Sequence, residues 1–468
     1  MFENLIIRLL NGLHDPTQPG PHGRDLVLGT ARTTERKEPV ILREDMRPTH
    51  LAIVGLSGVG KSYLLENLIR QDIQHGTGLA LFDVHGDLAD NVIAFLAEHT
   101  DKKPNLADKV ILVEPFDPIV SAGFNPLEGA ASTSAYKQAQ ELAHVLRMHW
   151  ETKSFGPRSE ELLRHSLYTL VVNNLTLLEL PALLTRPAFR EKLLKTIREP
   201  AALDYWRERY ASLSDGMENV VREPLLTRVS AFLSDPQVRQ IVGQDKSTFS
   251  FLDAIEKGHW VIINLSKGKL GDENSSVLGG LFFTKLKLDV MAQARTPEKD
   301  RKLFAIYADE LQNLAGTNIL TLIAEARKYR VSLTTGQQFW AQLPSHMRSA
   351  VLGMGAHVFF RLHYHDAAEL SGELHSSRRQ YYTEVLTRLP NREAIFRSGT
   401  GDPIPMSVRS HKPPGGDGSS IERLRAHSRS LYAKPRQKIQ QEISQRVARK
   451  EPGSLDEIIK FNTYEEMP

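Results

Sequence analysis

Short apolar runs alternate with stretches of helical period in two separate regions of this 468-residue chain. In the first region DLVLGTA and PVILRE predict two short strands, LAIV a third, LALFDV a fourth and KVILVEPF a fifth, followed by the turn GFNPLEG. YLLENLIRQDIQ and LADNVIAFLAEH carry apolar residues at i, i+3 and i+4 between them, as amphipathic helices do. In the second region HWVIINL, LFAIYA, VSLTT, HVFFRLH and MSVRS predict strands, with helices over VLGGLFFTKLKLDVMAQA and through Tyr329. Strands that alternate with helices and stay apolar throughout predict a parallel sheet covered on both faces.

Between the two regions the period is helical almost without a break, from AYKQAQELAHVLRMHW to ENVVREPLLTRVSAFL. That block is far longer than one sheet connection needs. The expected organisation is an amphipathic N-terminal helix and loop over 1–24, a first part of an α/β core over 25–130, and an inserted all-α subdomain over 131–234. The second part of the core follows over 235–410, then a linker and basic helical tail over 411–468. HKPPGGDGSS has linker composition. Residues 421–450 after it hold nine Lys and Arg against Glu422 and Glu442, which makes that stretch a candidate surface for DNA, for the next subunit or for an acidic partner. Tyr432 is its one aromatic residue, so base stacking is not suggested.

Composition narrows the class without naming a function. The absence of cysteine excludes disulfides and thiolate metal sites and fits a reducing compartment. No run approaches the length of a membrane-spanning helix, and a net charge of +3 is too small to argue for nucleic acid by itself. Phe2, Leu5, Ile6, Leu9, Leu10 and Leu13 share a helical face, with Arg8 as its one cation, so docking on protein is expected over docking on a membrane.

The chemistry starts at LAIVGLSGVGKS, where a strand runs into Gly55-x-x-x-x-Gly60-Lys61-Ser62 and then a helix. Glycines at Gly55, Gly58 and Gly60 let backbone N–H groups converge on phosphate oxygens at a helix start. Lys61 then reaches the β- and γ-phosphates and the Ser62 hydroxyl binds Mg²⁺. The candidate nucleotide-binding set is Gly55, Ser57, Gly58, Val59, Gly60, Lys61, Ser62 and Tyr63. KLFAIYADEL delivers two carboxylates at the polar end of a strand: Asp309 for the Mg²⁺ shell and Glu310 to orient and deprotonate water. Gln337 or Gln338, after VSLTT, is placed to sense the γ-phosphate. Arg327 is the first candidate for an arginine acting on a neighbouring subunit's nucleotide, ahead of Arg361 and Arg348. Asp83, His85 and Asp87 end a predicted parallel strand, where α/β sheets bind ligands. SKGKLGDE offers Lys267 and Lys269 on a predicted loop facing a pore, and His363 and His365 alternate on a predicted strand.

With VGLSGVGKS, LFDVHGDL, GFNPLE, FGPRSEELLRHSL, NLSKGKLG, IYADELQN, EARKYRVSL and QQFWAQL in this order, the chain resembles the HerA/FtsK branch of RecA-like ATPases. It is most similar to the coupling ATPases of conjugation and type IV secretion, over about 25–410. The resemblance implies a RecA-like P-loop NTPase core with an inserted all-α subdomain, ATP and Mg²⁺ as ligands, a ring (six subunits in the family) and DNA as cargo. It favours Gln338 over Gln337 as sensor and strengthens Arg327. Coupling proteins usually carry N-terminal transmembrane helices, which this sequence lacks. The expected setting is therefore cytoplasmic, with any attachment to a membrane's inner face made through partner proteins. A protein-secretion or genome-defence motor of the same fold and a nucleotide-gated cargo adaptor are the competing readings; Glu310 argues against the adaptor.

Overall fold

The computed structural model describes residues 23–32, 38–129, 134–150, 155–311, 314, 317–338, 340–408, 411, 413, 415 and 417–449. The expected N-terminal helix over 2–13 and the end of the tail lie outside them. Thirteen strands occur among these residues: β1 (Leu26–Ala31), β2 (Pro39–Leu42), β3 (Leu51–Val54), β4 (Gly78–Asp83), β5 (Val110–Val113), β6 (Val120–Ser121), β7 (Trp260–Asn264), β8 (Phe304–Ala308), β9 (Val331–Gln337), β10 (Ala356–Phe359), β11 (Glu393–Ser398), β12 (Ile404–Val408) and β13 (Lys434–Pro435).

Eleven of them form one sheet, in the order β2-β1-β12-β11-β10-β3-β9-β8-β4-β7-β5. From β10 to β7 the neighbours run parallel. β3, β4, β7, β8 and β9 are buried at every residue, which is why their sequences read as unbroken apolar runs. Beyond β10 the sheet continues antiparallel through β11, β12, β1 and β2. The purely parallel expectation is therefore corrected: β2 and β12 alternate buried with exposed positions, the pattern of strands covered on one face. β11, with the sequence EAIFRS, is a strand that the apolar pattern did not single out.

Two further expectations change. β10 ends at Phe359, so His363 and His365 do not alternate along a strand. His363 precedes the helix Tyr364–Leu374, which buries Ala367, Leu370 and Leu374 at helical spacing. Lys267 and Lys269 sit on a helical turn, Lys267–Leu270, rather than on a loop. Lys267 pairs with Asp272 at 3.2 Å as the next helix begins. The tail is two helices, Gly418–Tyr432 and Arg436–Arg449, broken at the β13 dipeptide, where Pro435 cannot continue a helical ladder.

Two compact units divide the chain: Met1–Leu112 with Ser250–Ala426, and Val113–Phe249 with His427–Pro468. The sheet belongs to the first. The second is mostly helical, with helices running from Ala135 to Val242. Its core includes Trp150 edge-on to Phe232, and Trp206, whose indole N–H donates to Thr169 Oγ1 at 3.1 Å. Asn125 explains the GFNPLE turn. Its side chain donates to the carbonyls of Leu175 and Asp245 and accepts the Leu127 N–H, which ties three segments together.

Tail cations are engaged within each unit. Arg423 meets Asp101 at 3.0 Å and Arg425 meets Asp90 at 3.4 Å in the first. In the second, Arg429 meets Asp117 at 2.7 Å and Arg446 meets Glu179 at 3.0 Å. Arg436 donates to Gln240 and to the Pro115 carbonyl. Among the described residues, no helix is long and apolar enough to cross a membrane.

Candidate nucleotide site

The phosphate-binding loop is shaped by backbone that only glycine adopts cheaply. Gly58 and Gly60 take φ of 72° and 117°. A Cβ at Gly55 would lie 2.6 Å from the Phe360 Cβ, so the loop packs against the end of β10 only without a side chain there. Gly60 caps the helix Lys61–His75, aiming its first N–H groups into the cavity. Lys61 is 6% exposed, and its Nζ donates to the Leu56 carbonyl at 2.8 Å. Burial lowers the pKa of its ammonium, and the charges of Glu310 and Asp309 oppose that shift.

Asp309 and Glu310 follow β8, two strands from β3 in the sheet. The Ser62 hydroxyl donates to Asp309 Oδ2 at 3.4 Å, while Asp309 Oδ1 is buried without a hydrogen-bond partner. Burial pushes the Asp309 carboxyl up to about 6; Asp83 and Glu310 add to the rise, and Lys61 and His85 oppose it. A divalent cation fits this donor set: a hydroxyl and a carboxylate with an unsatisfied oxygen suit Mg²⁺, which takes few protein ligands and otherwise substrate phosphates and water. Glu310 has a φ of 57°, uncommon for a residue with a side chain, and it lines the same cavity.

That cavity, of about 510 Å³, is lined by Ser57, Gly58, Gly60, Lys61, Ser62, Tyr63, His85, Asp309, Glu310, Gln338, Asn391 and Arg392. The two glutamines differ in position. Gln337 is fully buried and donates to Thr335 Oγ1 at 3.0 Å, whereas Gln338 faces the cavity. Of the DVHGD segment only His85 lines it. Asp83 lies behind, accepting the N–H groups of His85 and Ala89, and Asp87 opens the next helix.

Arg327 lies elsewhere, exposed on the turn Ala326–Tyr329 ahead of β9. At about 3.3 Å per residue along β9, it stands about 20 Å or more from Gln338 at the strand's other end. Arg361 donates to Asn391 Oδ1 at 3.0 Å and Arg348 is paired with Glu369 at 3.1 Å. Asn391 and Arg392 are cavity residues that the sequence reading missed. The only local signal is a Pro-Asn pair of turn character ahead of a strand.

His411, in the segment expected to be a linker, is held at Tyr63. The rings stack at 4.1 Å with 10° between planes, and the His411 N–H donates to Tyr63 Oη at 2.7 Å. Gly415 N–H donates to Glu98, so this segment is attached to the first unit rather than spanning free.

Comparison with known proteins gives three kinds of result. The model of the family described as Helicase HerA, central domain, matches residues 26–280. Among solved structures, plasmid coupling protein TrwB in complex with a non-hydrolysable ATP analogue matches with a TM-score of 0.58 at 18% identity, over 86% of this chain and 97% of that one. TrwB in complex with ADP and Mg²⁺ matches with a TM-score of 0.54 at 18% identity, over 84% and 97%. VirB4 of Thermoanaerobacter pseudethanolicus matches with a TM-score of 0.58 at 12% identity, over 84% and 98%. At these identities the structural matches establish the fold, that of RecA-like P-loop ATPases. No curated protein sequence matches the chain.

Proposed function

The chain belongs to the HerA central-domain family, and from that premise we propose that it is an ATP-hydrolysing motor that forms a ring and translocates DNA, as a coupling-type ATPase of conjugation or type IV secretion. The observation that carries the hydrolytic part is the convergence of Lys61, Ser62, Asp309, Glu310 and Gln338 on one cavity, from two strand ends and one helix start. Lys61 binds the β- and γ-phosphates. Ser62 and Asp309 would hold Mg²⁺, which when bound offsets charge on those phosphates. Glu310 orients the attacking water and takes its proton, and Gln338 hydrogen-bonds the γ-phosphate. Arg327 is too far from its own cavity to serve it, which supports a role at the nucleotide of a neighbouring copy in the ring. The matches to a plasmid coupling protein and to VirB4 support the transfer-system setting.

The test is steady-state ATP hydrolysis by the purified chain, alone and with single- or double-stranded DNA. We expect stimulation by one DNA form, and a loss of at least about a hundredfold in both Lys61→Ala and Glu310→Gln. Nucleotide binding without hydrolysis under any DNA condition would overturn the motor reading in favour of a nucleotide-gated adaptor.

A further inference from the structure

We propose that Tyr63, Asn391 and Arg392 form the nucleoside subsite of the cavity, with the Arg392 guanidinium laid against the face of a purine base. The inference rests on the nucleotide-binding reading above and deepens it.

Sheet order supplies the direction. Asp309 and Glu310 follow β8 and Gln338 follows β9, on one side of the loop strand β3; β10 and β11 lie on its other side. Asn391 and Arg392 immediately precede β11. A triphosphate whose γ-phosphate faces Asp309, Glu310 and Gln338 therefore directs its sugar and base toward Asn391 and Arg392. The cavity is continuous across both ends, and at about 510 Å³ it falls within the range of small-molecule sites.

Arg392 is also held where a base-stacking group is needed. Its N–H donates to the Val59 carbonyl at 2.8 Å, and its carbonyl accepts the Val408 N–H at 2.9 Å. These bonds fix it to the loop in a left-handed conformation, φ 65°. Such a backbone state in a residue with a long side chain costs free energy, and it persists here because the surrounding bonds determine it. The guanidinium carbon lies 4.9 Å from the Tyr63 ring centroid, and Tyr63 is itself stacked on His411. Tyr63 thus backs the guanidinium on one side, while Arg392 as a whole remains exposed. A planar delocalised cation supported on one side by an aromatic ring presents its other side to a π-face. Arg361, by donating to Asn391 Oδ1, fixes the residue next to it.

The alternative role for a cation here is contact with a phosphate, and the two are separable. Calorimetric binding of ATP and of inorganic tripolyphosphate, both with Mg²⁺, would be measured on the full chain. The panel is wild type, Arg392→Lys, Arg392→Asn and Lys61→Ala. Lysine keeps the charge and loses the plane; asparagine tolerates the left-handed backbone and loses both. We expect both Arg392 variants to weaken ATP binding by about tenfold and to leave tripolyphosphate binding within about twofold of wild type. Retained tripolyphosphate binding also certifies that the loop is intact. Unchanged ATP affinity in both variants, or equal losses for ATP and tripolyphosphate, would overturn the subsite. Wild type binding neither ligand, or Lys61→Ala binding both normally, would instead overturn the nucleotide-binding reading beneath it.

Discussion

His50, just ahead of β3, has both ring nitrogens committed. Nδ1 accepts the Leu333 N–H at 3.1 Å, so Nε2 carries the proton and donates to the Ile323 carbonyl, also at 3.1 Å. Burial pushes its pKa down to about 4, with the Ile323 contact opposing the shift. An unfolded histidine takes up its proton near pH 6.5 and the folded one near 4. Above pH 6.5 His50 therefore leaves stability unchanged; between about 6.5 and 4 the unfolded state binds more protons and stability falls, by an amount on the order of 3 kcal/mol. His149 and His165, held near 4 mainly by burial, act in the same direction. Urea denaturation midpoints should drop from pH 7.5 to pH 5, and the drop should be smaller in His50→Asn, which removes the titrating ring. At this scale the sequence was uneven. Lys61, Ser62, Asp309 and Glu310 stand in motifs whose spacing is itself chemical. Arg392 owes its place to a bond with Val59, over 300 positions away, and carries no local mark.

Elements that are buried on both faces were legible, because continuous apolar character is the mark of a central parallel strand. β11 was not, since half its residues are polar and its partners β10 and β12 set its place. Nor was the joint behind the loop helix. There Asp72 accepts both terminal nitrogens of Arg47, at 2.7 and 2.6 Å, and the Tyr307 hydroxyl at 2.6 Å, all three side chains buried. This joins the turn before β3, the helix that starts at Lys61 and the strand that delivers Asp309. Asp72→Ala leaves a buried guanidinium uncompensated, and we expect a loss of about 3–5 kcal/mol in chemical denaturation. Replacing Arg47 by Met and Asp72 by Leu together should recover part of that loss. Recovery no better than Asp72→Ala would mean that the joint holds the three elements by geometry rather than by charge balance.

For the whole molecule, the proposed ring has a direct genetic test. Arg327→Ala and Glu310→Gln should each be inactive, yet a mixture should hydrolyse ATP. Wherever the Arg327 of a Glu310→Gln copy meets the site of an Arg327→Ala copy, one complete site is rebuilt. A mixture as inactive as its parts would overturn the action of Arg327 across a subunit interface.

The tail is the other feature that only the assembled chain reveals. Read as sequence it is a row of cations awaiting a polyanion; in the folded protein Asp90, Asp101, Asp117 and Glu179 already stand opposite Arg425, Arg423, Arg429 and Arg446. In polyelectrolyte language, the body of the protein is the tail's counterion. Added salt then acts twice, weakening any contact with DNA phosphates while loosening the internal pairs that mask those arginines. The two effects oppose each other. If DNA is the cargo, as proposed, the steepness with which salt displaces the protein from it will therefore understate the number of cations written in its tail.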